Sequence, residues 1–331
     1  MIDLIETPLN PIPPQGQVFA VGGQGPELRG AVWPATRLDA RGTIILLQGR
    51  AEFIEKYYET VSDLRRRGFA VATFDWRGQG ASERLLSDPL KGHVTSFDDY
   101  LDDLSRFVED LQTRGLPRPW AVLGHSMGGH LAVRKAAVRP GLFDQIVVTA
   151  PLVAIAPARL GMSEAAAAGI ARTATLAGFS STYVPGGGAR LLHEMPFDEN
   201  ILTRDATRLA RNAEVTALTP QLRLGDPTIG WLDAAFRSMR VLSTADFVDR
   251  MRTPLLCLVA SRDRIVSGRA AEELCDRLKL AACLTLVGAE HEILQETDSI
   301  RSQFWTAFDT FLGESLEPQQ AIADRFVAVR S

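Results

Sequence analysis

Two periodicities alternate along this chain. Continuous apolar runs occupy residues 43–47, 69–74, 121–123, 145–149, 255–260 and 283–287. Runs of that length, bounded by turn residues, read as strands buried on both faces of a sheet. Between them the apolar positions recur every three or four residues. Ile54, Tyr57, Tyr58, Val61 and Leu64 line one helical face, closed at Gly68. Phe97, Tyr100, Leu101, Leu104, Phe107, Val108 and Leu111 line another. Ser96 is placed to cap that second helix, with Asp98 and Asp99 in a first turn whose dipole favours carboxylates. Two more helices are expected, over 270–278 and where Ile300, Phe304, Ala307, Phe308 and Phe311 share a face. Strand alternating with helix across short loops predicts α/β architecture, a mostly parallel sheet with helices on both faces.

The rhythm differs in two places. Near the start, residues 17–21 and 28–33 read as a strand pair joined by Gly22-Gly23-Gln24-Gly25-Pro26. A phosphate-binding loop is excluded there, because no helix pattern follows to supply its N-terminus. From 152 to 248 the pattern is helical, with an alanine-rich stretch at 165–168, a glycine run at 186–188 and no buried strand. The expected organisation is therefore a core over 1–151, a helical insertion over 152–248, a second core segment over 249–313 and a loosely attached tail over 314–331.

The chemistry gathers at strand ends. The run at 121–123 leads straight into Gly124-His125-Ser126-Met127-Gly128, and Leu131, Ala132, Ala136 and Ala137 follow at helical spacing. Strand, sharp turn and helix put a serine at the apex, and the crowding there demands small flanking residues. A serine hydroxyl is a weak nucleophile and needs a base oriented by an acid. Asp263 stands just past the strand at 255–260 and His291 just past that at 283–287, in the chain order serine, acid, histidine. The plainer alternatives are an Asp263 paired with Arg262 or Arg264, and a surface His291 between Glu290 and Glu292. His125 and His130 lie too near the serine in sequence to turn back onto its hydroxyl, so they read as packing or site lining. His93 and His193 fall outside recognisable catalytic positions.

Composition narrows the field. A net charge of −4 without a basic stripe argues against a nucleic-acid partner. No apolar run reaches the roughly 18 residues that cross a bilayer, which leaves peripheral membrane contact open. Cys257, Cys275 and Cys283 are odd in number and lack metal-ligand spacing, so they read as reduced core thiols. With no basic-then-apolar leader at Met1, a cytoplasmic location is expected. No metal and no cofactor are expected.

These pieces resemble the α/β-hydrolase superfamily, in particular bacterial lysophospholipases and the monoacylglycerol lipases related to them. The likeness spans about 43–311. It rests on Gly49-Arg50-Ala51-Glu52, on Asp75-Trp76-Arg77-Gly78-Gln79-Gly80-Ala81-Ser82 with Arg84-Leu85-Leu86, and on Gly92-His93-Val94. Phe97-Asp98-Asp99-Tyr100, His125-Ser126-Met127-Gly128-Gly129, Leu222-Arg223-Leu224-Gly225-Asp226-Pro227-Thr228 and Trp231 complete it. The resemblance implies Ser126 as nucleophile, Asp263 as orienting acid and His291 as base. It implies an oxyanion hole from the backbone N–H groups of Met127 and Arg50, and a lid formed by the insertion over an acyl chain. His125 is expected to line the substrate site. Gln48-Gly49 departs from the His-Gly of many monoacylglycerol lipases, which changes the polarity expected near the hole. The Arg50 side chain has two readings: pairing with a substrate phosphate, or an ion pair with Glu52 or another loop acid. Asp75 reads as a structural brace for its glycine turn.

The implied activity is carboxylic-ester hydrolysis, releasing a fatty acid from a lysophospholipid or monoacylglycerol through an acyl-enzyme. An acyltransferase or aminopeptidase of the same superfamily is the alternative; Glu194, Asp198 and Glu199 are the lid acids that an amino terminus would need. A non-catalytic binding protein is the third reading.

Overall fold

The computed structural model describes residues 2–191 and 194–315. His193 and residues 316–331 of the expected tail lie outside the described residues.

Among the described residues, β1 (Gln17–Ala20), β2 (Arg29–Trp33), β3 (Thr43–Leu47), β4 (Ala70–Phe74), β5 (Trp120–His125), β6 (Gln145–Thr149), β7 (Leu255–Ala260) and β8 (Ala281–Leu286) form one sheet. Their order is β1-β2-β4-β3-β5-β6-β7-β8. The strand pair at the start is antiparallel, as is β2 with β4; every other pairing is parallel. The helices are α1 (Tyr58–Arg66), α2 (Phe97–Thr113), α3 (Met127–Val138), α4 (Pro157–Leu160), α5 (Glu164–Ala174), α6 (Ala206–Leu218), α7 (Ile229–Leu242), α8 (Ala245–Arg250), α9 (Gly268–Arg277) and α10 (Asp298–Ser315).

The apolar runs are continuous because successive side chains serve different cores. Ile45, Leu47, Val122, Cys257 and Val259 pack under α2, α3 and α9. Ile44, Leu46, Ala121, Leu123, Leu256 and Leu258 pack under α1 and α10. Ser96 caps α2 through a capping box with Asp99. The edge strand β8 begins two residues before the expected 283, since Ala281 and Ala282 carry little pattern, and much of it is exposed.

The described residues between β6 and β7 lie outside the sheet, and their helices are held in different ways. Trp231, Ala234, Ala235, Phe236, Met239 and Leu242 of α7 join the same apolar cluster as α2 and α3. By contrast α5 buries only Ala167 and Ala171. Its continuation breaks at Gly178, with φ +91°. On the far side α6 is tied down by charge. Arg208 reaches Glu59 and Asp298, and Arg211 reaches Glu59 and Gln295.

Candidate active site

The turn after β5 puts Ser126 at φ +50° and ψ −114°, a region that strains any residue with a side chain. The neighbourhood holds it there. Its N–H donates to the Thr149 carbonyl at 3.0 Å, and its own carbonyl accepts from His130 and Leu152 at 3.0 and 3.1 Å. A Cβ at position 128 would stand 2.3 Å from the Leu47 carbonyl oxygen, and one at 124 would stand 2.8 Å from the Gly129 Cα. Both flanks must therefore be glycine.

Three strand ends meet above this turn. His291 Nε2 lies 3.1 Å from Ser126 Oγ, and its Nδ1 lies 2.7 Å from Asp263 Oδ2. The other Asp263 oxygen accepts from the Ile265 and Val266 N–H groups at 2.8 and 2.9 Å. Asp263 thus faces His291. Arg264 turns instead to the Asn200 carbonyl and toward Glu290. Burial disfavours a charged His291 ring, but the Asp263 carboxylate outweighs it, with Glu292 and Glu52 adding to the field, and the pKa rises above 6.5. Burial likewise opposes the Asp263 charge, yet the His291 ring and the two backbone donors hold its pKa below the usual 3.8.

Arg50 and Met127 bring unengaged backbone donors to the same space. The neighbours of Arg50 are occupied: the Gly49 N–H donates to Glu52 and the Ala51 N–H to Gln79 Oε1 at 2.7 Å. Among the described residues neither the Arg50 N–H nor the Met127 N–H has an acceptor. Met127 also opens α3, where N–H groups lack intrahelical partners.

A cavity of about 470 Å³ opens over Ser126. His125 lines it, as expected, but as a fixed wall. Its Nδ1 contacts Thr149, its ring packs on His291 at 4.8 Å, and burial lowers its pKa to about 3, so it is neutral. Gln48 is fully buried and does not line the cavity. The ion pair between Arg50 and Glu52 is also absent from the structure. Arg50 Nη1 donates to the Gly225 carbonyl at 2.9 Å, and its guanidinium lies 5.7 Å from the Trp231 ring. Glu52 instead pairs with Lys56 at 2.7 Å, and Lys56 pairs with Glu292 at 2.6 Å. Sequence reasoning did not find this buried chain of charges beneath His125 and His291; the signal was the four-residue spacing of Glu52 and Lys56. Of the lid acids, Glu194 is held by Arg223 and Glu199 by Arg190, and neither they nor Asp198 line the cavity. Asp75 braces its turn by accepting from Ala81 N–H and Arg29, and a Cβ at Gly80 would strike its carboxylate. His130 and His93 are packing residues, bonded to Leu152 and Thr228.

The fold is that of the α/β-hydrolases, and the chain is a serine hydrolase of that class. Its sequence matches the family described as serine aminopeptidase, S33, over residues 39–298, and the chain belongs to that family. It is 35% identical to lysophospholipase L2 of Escherichia coli strain K12 over 288 residues, which cover 83% of this chain and 81% of that protein. Human monoglyceride lipase is 26% identical over 276 residues, covering 81% of this chain and 80% of that one. In fold it is similar to the crystal structure of a soluble variant of monoglyceride lipase from Saccharomyces cerevisiae in complex with a substrate analog. The TM-score is 0.73 at 16% identity, covering 96% of this chain and 100% of that one. None of the helices among the described residues is long and apolar enough to cross a membrane.

Proposed function

We propose that the protein hydrolyses the ester of a single-chain glycerolipid bearing a phosphate, a lysophospholipid, through an acyl-enzyme on Ser126. His291 Nε2 takes the Ser126 proton as Oγ attacks the ester carbonyl, and Asp263 stabilises the imidazolium. The Arg50 and Met127 N–H groups hold the oxyanion, each worth about 3–4 kcal/mol. His291 passes the proton to the departing glycerol oxygen. Water, with His291 again as base, then releases the fatty acid and restores Ser126.

The observation that carries the head-group assignment is the charge around the cavity. Arg50 and Arg159 both line it, and Arg50 is brought down to about 10 by burial and by Arg159 against the pull of Asp226. Asp226 is already engaged by the Gly188 N–H at 3.0 Å. Of the charged side chains lining the cavity, Glu52, Lys56 and Glu292 pair with one another and Arg190 reaches Glu199, which leaves Arg50 and Arg159 against the committed Asp226, a balance that suits a phosphate rather than an ammonium. That favours lysophospholipid over the peptide amino terminus suggested by the family's description. The insertion over 152–248 acts as the cap. Ile155, Leu160, Ile170, Ala174 and Leu232 offer the acyl chain an apolar wall. A cytoplasmic enzyme working against a lipid surface fits the exposed Ile170, Leu176 and Phe179 of that cap.

The test is a panel of a lysophospholipid, a monoacylglycerol of the same chain, a short ester and an aminoacyl anilide. The lysophospholipid should have the highest kcat/KM, and Arg50→Ala, which keeps the backbone donor, should lower it about tenfold while sparing the monoacylglycerol. A parallel fall on both lipids sinks the phosphate assignment; anilide cleavage above ester cleavage sinks the lipid reading.

A further inference from the structure

All three cysteines of the chain converge, although 17 and 7 residues separate them in sequence. Cys257 lies in the middle of β7, and its register partner on β8 is Cys283. Partners on adjacent parallel strands project from the same face, about 4.8 Å apart in backbone. That face is covered by α9, whose inward residues are Ala271, Leu274 and Cys275. Cys275 thereby comes down on the pair, and the three Sγ atoms lie within 4.8 Å of one another. No disulfide joins them.

A plain packing role would explain one or two of these residues, since a thiol packs like a small hydrophobe. It does not explain three sulfurs mutually in reach. Thiolates bound at about 2.3 Å around a three-coordinate metal stand about 4 Å apart, so little movement separates the cluster from a ligand set. Cys257 and Cys275 are buried, while Cys283 is half-buried on the edge strand and leaves a way in.

We infer that Cys257, Cys275 and Cys283 form a site for one soft, thiophilic d10 cation of the Cu(I) type, separate from the ester-cleaving site. Among the described residues no histidine or carboxylate belongs to the cluster. A tetrahedral Zn2+ therefore lacks a fourth protein ligand, whereas three sulfurs complete a trigonal Cu(I). On binding, three metal–sulfur bonds form and the protons still on the thiols pass to water. Affinity accordingly rises with pH. No change of oxidation state is involved.

The test titrates the reduced, metal-free protein with Cu(I) under anaerobic conditions against a chromogenic Cu(I) chelator. The expected result is one equivalent withdrawn from the chelator, a thiolate-to-metal absorption in the near ultraviolet, and three thiols protected from a thiol reagent. Cys283→Ala, the mildest change because the residue is half-buried, should weaken binding at least a hundredfold, and Cys275→Ala likewise, with ester turnover and thermal unfolding serving as checks of folding. No uptake by the wild type overturns the site, and so does a Cys283→Ala protein that binds as tightly as wild type. Because the readout is metal and not ester, loss of the lysophospholipid assignment would leave it standing.

Discussion

The two walls of the cavity over Ser126 are built by different physics. The floor is the carboxyl edge of a parallel sheet. There Ser126, His291 and the Asp263 carboxylate are enclosed, and each is fixed by several hydrogen bonds to backbone or to one another. The opposite wall is α5, which buries two alanines and exposes Ile170, and its continuation kinks at Gly178. Few buried contacts mean a low local opening free energy. Under the function proposed above, the contrast assigns reactivity and selectivity to separate regions: a rigid edge for the chemistry, a lightly held helix for the acyl chain. Within the insertion, α7 belongs with the rigid part, since its apolar face is continuous with the core.

Substitutions on the floor should therefore affect every ester alike, and substitutions on the wall should discriminate. The largest effect expected is Ser126→Ala, which should lower kcat on long and short esters by on the order of 10⁵-fold while leaving thermal unfolding near that of wild type. Retained turnover would remove Ser126 from the mechanism. Asp263→Asn comes next, with a loss of about 10⁴-fold, because the amide favours the wrong His291 tautomer. Wild-type rates in that variant would move the acid elsewhere. Third is pH. In the proposed mechanism the base form of His291 is the active one, and its pKa is raised. The kcat/KM profile should therefore fall about tenfold per unit below a midpoint above 6.5, for every ester. A midpoint below 6.5 would contradict the Asp263–His291 coupling. The smallest effect is Ala174→Phe, which narrows the cavity from a half-buried position on α5. It should depress long-chain turnover about tenfold and spare a short ester. Equal losses on both would erase the distinction between floor and wall.

What could be read in the sequence follows the same division. The strands were legible because a sheet buried on both faces leaves unbroken apolar runs, and Ser126, Asp263 and His291 were legible because each follows such a run. The Ser96 cap was likewise written locally. Partnerships made across the fold were not. Glu52, Lys56 and Glu292 look like ordinary solvated charges until β3, α1 and the loop after β8 bury them together. The Arg50 side chain finds a carbonyl 175 residues away in the insertion rather than the nearby Glu52. The cysteines lack any linear motif because their cluster depends on the register of β8 against β7.

The distance in sequence between Ser126 and His291, 165 residues, has a consequence for how the enzyme comes into being. The nucleophile leaves the ribosome early, on the central strand, and its elbow can form once β3 and β6 are in place. The base arrives only when β8, at the far edge of the sheet, pairs with β7. On the mechanism proposed above, a chain that lacks His291 would carry an inert alcohol at Ser126. Under the proposed mechanism the pairing of β8 with β7 is therefore what completes the site, and a chain without that strand should cut no ester.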